Sequence, residues 1–470
     1  MKRIIFAALG VVFSSMIAST ATQANARSEL VLYDPPPGKA LYTHHNDSFT
    51  VRARIPGGEW RDLYEYRASV DLDDPQLASM VAFAMHGPVE VAVKKNNGDV
   101  RRVEVRPDSK GVMARVVGNT AYFTLTQPAN LSIEFDGDRL HNPHLFANPL
   151  ETYIPKADDP DVVYFAPGLH ILPPGQTKFA IGSNKTVYIA GGAIVQGQID
   201  ISNARNVRLI GHGILEGGKE GVSVIFSKDV SIEGPIILNP EHYTLMCGQS
   251  SGLTVRNLKT FSAGSWTDGI DLMSCSDVVI DNVFLRTSDD SIAIYTDRWD
   301  YHGDARNYRV TNSTLWADVA HPVNIGLHGS KEKPRVIENL TFRNIDILGH
   351  DEDDRNYQGA LAITDGDNNL VRNVAFEDIR IDSIEEGMLF NFRVVFNEKY
   401  SLAPGRGIEN VTIRGLRFKG GDINRPVIAG YSADRTVRGV TLADIQSEGG
   451  ALRRGNIDIG QFMTDLTVTP

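Results

Sequence analysis

The sequence predicts an all-β protein in which a β-sandwich precedes a right-handed parallel β-helix. Two observations predict it. A unit of the form apolar-x-apolar-x-Asn-apolar-x-apolar, with Gly or Asp in place of Asn in five copies, recurs nine times in the second part of the chain. The first part carries short period-two runs divided by turn signals, and neither part shows helix-length amphipathic periodicity.

The 470-residue chain opens on a segment that reads as an export signal. Lys2 and Arg3 precede the apolar run Ile4 to Ile17, and Ala24-Asn25-Ala26 has the small-x-small form of a cleavage site. Cleavage after Ala26 is expected, leaving an exported protein in the periplasm or outside the cell. No later run approaches the roughly 20 apolar residues of a membrane helix. Loss of Lys2 and Arg3 takes the net charge from -11 to -13. That acidity argues against nucleic acid and anionic membranes as partners. With two cysteines, Cys247 and Cys275, the chain is no disulfide scaffold. The pair could meet across adjacent coils or remain as two buried thiols.

Residues 28–150 form the expected sandwich. Val89 to Val93 and Leu131 to Phe135 alternate as strands, and Pro56-Gly57-Gly58, Asn96-Asn97-Gly98 and Gly118-Asn119 mark turns. The region reads as antiparallel. It holds no catalytic constellation, and His44, His45, Asp73 and Asp74 read as loop residues.

Residues 151–470 form the expected solenoid. Its repeat is anchored at Val207, Val230, Leu253, Val278, Tyr308, Leu340, Val374, Val411 and Val440, spaced 23 to 37 residues apart. That period, with β-branched content, selects a parallel β-helix over helical or leucine-rich repeats. Asn257, Asn282, Asn312 and Asn344 suit tight turns where an amide can bond the next coil. The sequons at Asn312, Asn339 and Asn410 fall in the repeat and read as structural. Longer repeats at Asp297–Arg306 and His350–Gln358 are expected to wall a cleft.

The chemistry concentrates between Trp266 and Ile325. TDGIDL (Thr267 to Leu272), DDSIAI (Asp289 to Ile294) and AHPVNI (Ala320 to Ile325) share one frame. In that frame Asp268, Asp290 and His321 form a column with rungs roughly 4.8 Å apart, and Asp289 stands beside it. Clustered carboxyls and a histidine mark an acid/base site. Asp271 and Asp281 read as solvated face, and His212 as structural. Trp266, Tyr295, Trp299 and Tyr301 are candidate sugar-stacking residues, Lys331 is a candidate substrate-binding cation, and Trp316 is as readily a core residue. No cluster has metal-ligand spacing, and no cofactor is expected.

These residues resemble the polygalacturonase family (glycoside hydrolase family 28) and, over more of the chain, the dextranase and isopullulanase family (family 49). GHGILEG (Gly211 to Gly217), VYFAPGLH (Val163 to His170) and VYIAGGAIVQG (Val187 to Gly197) look like the early coils of the latter, which also has a sandwich before its solenoid. The resemblance implies an inverting hydrolase of a poly- or oligosaccharide. Asp289 would be the general acid, Asp268 and Asp290 would activate water, and His321 would orient the acid or the substrate. Family 28 carries an Arg-Ile-Lys motif one coil later, where this chain has GALAIT, with Leu361 and Ile363 in the place of the cations. That departure tilts the substrate toward a neutral, dextran-like α-glucan. A uronic-acid polymer gripped by another cation (Arg298, Lys331, Lys333 or Arg355), a polysaccharide lyase and a noncatalytic carbohydrate-binding solenoid are the alternatives.

Overall fold

The computed structural model describes residues 28–470 except residue 422, so the expected signal segment lies outside the described residues. Two sheets face each other at the N-terminal end. One contains five strands in the order Arg61–Asp62, Phe49–Arg54, Val89–Lys95, Thr120–Leu125, Arg115–Val117, all antiparallel. The other contains six, among them Gln76–His86, Pro143–Pro149 and Ala129–Phe135. Here the antiparallel expectation needs correction, because Pro143–Pro149 runs parallel to Gln76–His86. Side-chain alternation reports which face is buried and carries no signal of strand direction. Phe49, Val51, Phe83, Val91, Phe123, Leu131 and Phe135 fill the space between the sheets.

Beyond Val162 the chain winds into a parallel β-helix. The repeat anchors stack in register: Val207 pairs with Val230, Val230 with Leu253, and Tyr308 with Leu340, Val374, Val411 and Val440 in succession. One sheet of the solenoid has 20 strands and a second has 11. Inward Val, Ile and Leu make one continuous core, because each coil buries its apolar face only against the coils above and below.

The asparagines explain how each coil turns. Asn257, Asn282, Asn312 and Asn344 all have φ between 48° and 57°, a left-handed conformation that asparagine tolerates better than other residues with a Cβ. Asn344 donates to Asn312 (2.7 Å) and Asn312 to Asp281 (2.7 Å). A parallel ladder links Asn410 to Asn373, Asn373 to Asn339, and Asn339 to Asn307, at 3.1 to 3.2 Å. All three sequon asparagines belong to these ladders. Asn339→Ala removes two ladder bonds and leaves a poor left-handed residue. It is expected to cost about 2 kcal/mol, read by denaturant unfolding. The two cysteines are joined, Cys247 to Cys275, with Cα atoms 6.6 Å apart.

The sandwich docks on one flank of the solenoid. Tyr66, Ala68, Met80 and Phe146 from its six-stranded sheet meet outward residues of successive coils: Ile194, Ile214, Ile236, Phe261, Phe284, Trp316 and Leu348. Trp316 is thus an interface core residue, with the Arg286 guanidinium 3.8 Å above its ring. Arg286 is fully buried and grips Asp318 with two bonds, 2.8 and 2.9 Å. Lys259, also fully buried, donates to Asn148 (2.6 Å) and to the carbonyls of Gly234 and Asn257 (both 2.9 Å). Every donor hydrogen of that ammonium is therefore used. This flank is formed by the 20-stranded sheet, so the outer face of the 11-stranded sheet remains for chemistry.

Candidate active site

Three consecutive strands of the 11-stranded sheet carry the site: Ile270–Met273, Ile292–Tyr295 and Val323–Gly326. Ile270 pairs with Ile292 and Ile292 with Val323, while Leu272 pairs with Ile294 and Ile294 with Ile325. This is the register expected from the repeated frame. Asp268, Asp290 and His321 each lie two residues before their strand, and the backbone rungs Gly269 N–H to Asp290 O (2.8 Å) and Ser291 N–H to His321 O (2.7 Å) tie the three turns together. Carboxyl oxygens of Asp268, Asp289 and Asp290 all lie within 4.8 Å of one another.

The two neighbours Asp289 and Asp290 have opposite surroundings. Asp290 is buried and accepts from His321 Nδ1 (2.7 Å), the His321 backbone N–H (3.1 Å), Asn324 Nδ2 (2.7 Å) and the Tyr295 hydroxyl (3.3 Å). Burial alone would raise its pKa. The adjacent His321 charge and these hydrogen bonds outweigh it and hold Asp290 below the ordinary carboxyl range. Asp289 accepts a bond from the Asp290 backbone N–H (3.0 Å). Burial, followed by the Asp290 charge, pushes it up to about 7.

His321 is held as a cation. Its Nε2 donates to the Tyr357 carbonyl (2.7 Å), and its Nδ1 faces the Asp290 carboxylate. Both ring nitrogens therefore act as donors, which only imidazolium can do. Burial opposes that state, but Asp290 prevails and raises the pKa to about 9. Asn324 is oriented in turn by the Thr364 hydroxyl (3.1 Å) and reaches the Tyr357 hydroxyl (2.8 Å).

Asp271 corrects the sequence reading. It is fully buried rather than solvated, and neither carboxyl oxygen has a hydrogen-bond partner among the described residues. Burial pushes its pKa well above the usual range, against the pull of Arg298. Asp268 is raised by burial and then by Asp271, Asp289 and Asp290. Four carboxyls thus share a largely buried site with two cations, Arg298 and His321. At neutral pH the group retains protons because so many like charges cannot coexist there.

The two longer repeats supply the neighbours. Arg298 and Trp299 come from the first, in a tight turn closed by two backbone bonds between Arg298 and Tyr301, both 3.0 Å. Tyr243 stacks parallel to Trp299 with centroids 6.0 Å apart. Tyr357 comes from the second and packs edge-on to His321 at 4.5 Å.

The other residues singled out from sequence are placed as follows. Trp266, two positions before Asp268, is 67% exposed, and Trp299 is 53% exposed. Tyr295 is buried and gives its hydroxyl to Asp290. Tyr301 is buried beneath the turn and packs on Phe226 at 5.6 Å. Lys331 is exposed, with its carbonyl held by Asn368. Leu361 and Ile363 pair with Val323 and Ile325 and face the core, so neither occupies a substrate-facing position. The outward residues of that coil are Ala362 and Thr364, which carry no charge either. His212 is buried against the Tyr33 hydroxyl (2.8 Å). Asp271, Asn324, Tyr243 and Tyr357 were not assigned to the site from sequence, and Arg298 entered there only as an alternative cation for gripping a uronic-acid polymer. For Asp271 and Asn324 a signal existed, since each lies three positions after Asp268 or His321 in the shared frame.

A comparison with curated proteins finds a dextranase of Talaromyces minioluteus, 23% identical over 359 residues, covering 62% of this chain and 57% of that protein. The chain thus spans less than two thirds of that relative. Among solved structures, Dex49A from Penicillium minioluteum aligns with a TM-score of 0.62 at 14% identity, over 93% of this chain and 96% of that one. A family 28 exopolygalacturonase of Yersinia enterocolitica aligns with a TM-score of 0.44 at 11% identity, over 85% and 99%. The sequence profile of glycosyl hydrolases family 28 matches residues 179–458, a span that takes in the whole carboxyl column and more than half of the chain. On that match the chain belongs to glycosyl hydrolases family 28.

Proposed function

We propose that this is an exported, inverting hydrolase of a neutral α-linked glucan of the dextran type. The opposite pKa displacements of Asp289 and Asp290 carry the mechanism. A carboxyl whose pKa is pushed up to about 7 sits beside one held below the ordinary carboxyl range, which is the division that glycoside cleavage requires. Asp289 protonates the glycosidic oxygen. Asp290, held in place by His321 and Asn324, takes a proton from water that it grips together with Asp268.

The closeness of the three carboxyls resembles the spacing of about 5 Å usual for retaining enzymes. A third carboxyl changes the geometry. Water held between Asp268 and Asp290 attacks the face of the anomeric carbon opposite the oxygen that Asp289 protonates, so the substrate and not a gap between two carboxylates separates acid from water. The neutral sugar is supported by the uncharged outward positions Ala362 and Thr364, by the acidity of the chain and by a relative named for dextran hydrolysis. Trp266 and Trp299 offer exposed rings for sugar stacking.

Reducing-sugar release from dextran, pullulan, other α-glucans and galacturonan tests the substrate. Release from a neutral glucan is expected, and release from galacturonan alone would sink the neutral reading. Proton NMR of the first product then tests the stereochemistry. A β-anomer from an α-linked chain is expected, and an α-anomer would mean retention.

A further inference from the structure

Resting on the hydrolase reading above, we infer that Asp271 and Arg298 form a clamp that reads hydroxyl groups of the neutral sugar ring next to the bond being cleaved. The inference begins from two costs. Asp271 is 0% exposed, and both of its oxygens lack a partner. Arg298 Nε and Nη1 are likewise buried without a partner among the described residues. Buried polar groups are nearly always satisfied, and an exception in a native protein calls for an explanation. Here two exceptions of opposite charge occur in one site, on the same face as the catalytic carboxyls.

Neither group is loose. Asp271 lies within a strand, its neighbours Ile270 and Leu272 fixed in the core. Arg298 lies 5.3 Å over the Tyr295 ring and 4.8 Å over Trp299. Its turn is anchored by Asp297, which pairs with Arg335 (2.7 Å) and accepts from the Gly303 N–H (2.8 Å). Rigid groups with unused hydrogen-bonding capacity are preorganised for a ligand. The Tyr243 hydroxyl approaches Asp271 closely enough to act on its carboxyl, but it makes no hydrogen bond of ordinary geometry to either oxygen.

The pair fits a neutral ring bearing adjacent hydroxyls. Asp271 accepts from one or two of them, and Arg298 donates to a hydroxyl or ring oxygen. A uronate would satisfy Arg298 but would bring a further negative charge against the ionised Asp290 and against carboxyls that hold protons because like charges already crowd there. A site that hydrogen-bonds a hydroxyl also rejects sugars lacking it, because its own buried groups are then left unpaired.

The test uses Asp289→Asn, which binds without turnover, titrated calorimetrically with an isomalto-oligosaccharide and with an oligogalacturonate. Adding Asp271→Asn or Arg298→Gln is expected to weaken the neutral ligand about 10- to 100-fold. The ligand-free Asp271→Asn protein is expected to melt no lower than its parent, because an unpaired buried carboxyl is removed. Unchanged affinity in both variants would overturn the clamp and leave the hydrolase reading intact. A lower melting temperature with unchanged affinity would assign Asp271 to structure instead. Binding confined to the galacturonate, or absent for both ligands, would overturn the clamp together with the neutral substrate class.

Discussion

Asp289→Asn is expected to fold normally and to lose about a thousandfold in kcat on a glucan, the scale of a missing general acid. Asparagine keeps the shape and the bond from the Asp290 N–H but has no proton to give. An aryl glycoside with a good leaving group needs less protonation and should lose much less. Comparing the two substrates separates a missing acid from a damaged site. The wild-type pH profile follows from the same residue. The active form of Asp289 is protonated, so activity should fall as pH rises through about 7. Asp290 must be ionised, and its depressed pKa places the lower limb below the ordinary carboxyl value. The stability sign is consistent. Because the folded pKa of Asp289 is raised, its contribution is full at acidic pH and is lost as pH rises from the normal carboxyl range through about 7.

His321→Gln is expected to cost about a hundredfold in kcat and to move the lower pH limb upward. The imidazolium contributes charge as well as a bond to Asp290. Glutamine can supply a donor but no charge. Burial then governs Asp290 and raises its pKa, so the base is protonated at pH values where the wild type works. The upper limb should rise as well, since the His321 charge also lowers Asp289. A variant that lost activity equally at every pH, with both limbs unmoved, would show that His321 acts only on substrate position.

Much of this arrangement was legible in the sequence because a solenoid converts spacing directly into neighbourhood. Once Ile270, Ile292 and Val323 are aligned, the positions of Asp268, Asp290 and His321 follow. The asparagine turns were readable for the same reason. Asp271 was not. Alternation distinguishes the inside of a coil from the outside, but it does not reveal that Arg298, Trp299 and Tyr243 come back over the outside and exclude water. The fully buried Lys259 and Arg286 were hidden likewise, because only the docked sandwich buries that flank. Leu361 and Ile363 show the opposite error, in which a motif comparison ignored the inward phase of the strand.

The docking of the sandwich has a mechanical consequence. A bare solenoid unfolds much like a row of dominoes, each coil supported only by the next. The apolar seam from Ile194 to Leu348 acts as a splint along that row, so the coils bearing Asp268, Asp289 and His321 must open together with the sandwich or not at all. The coils from Val427 onward lie beyond the seam, and loosening can begin there without reaching the carboxyls. The carboxyl column therefore lies in the section of the solenoid that the sandwich braces.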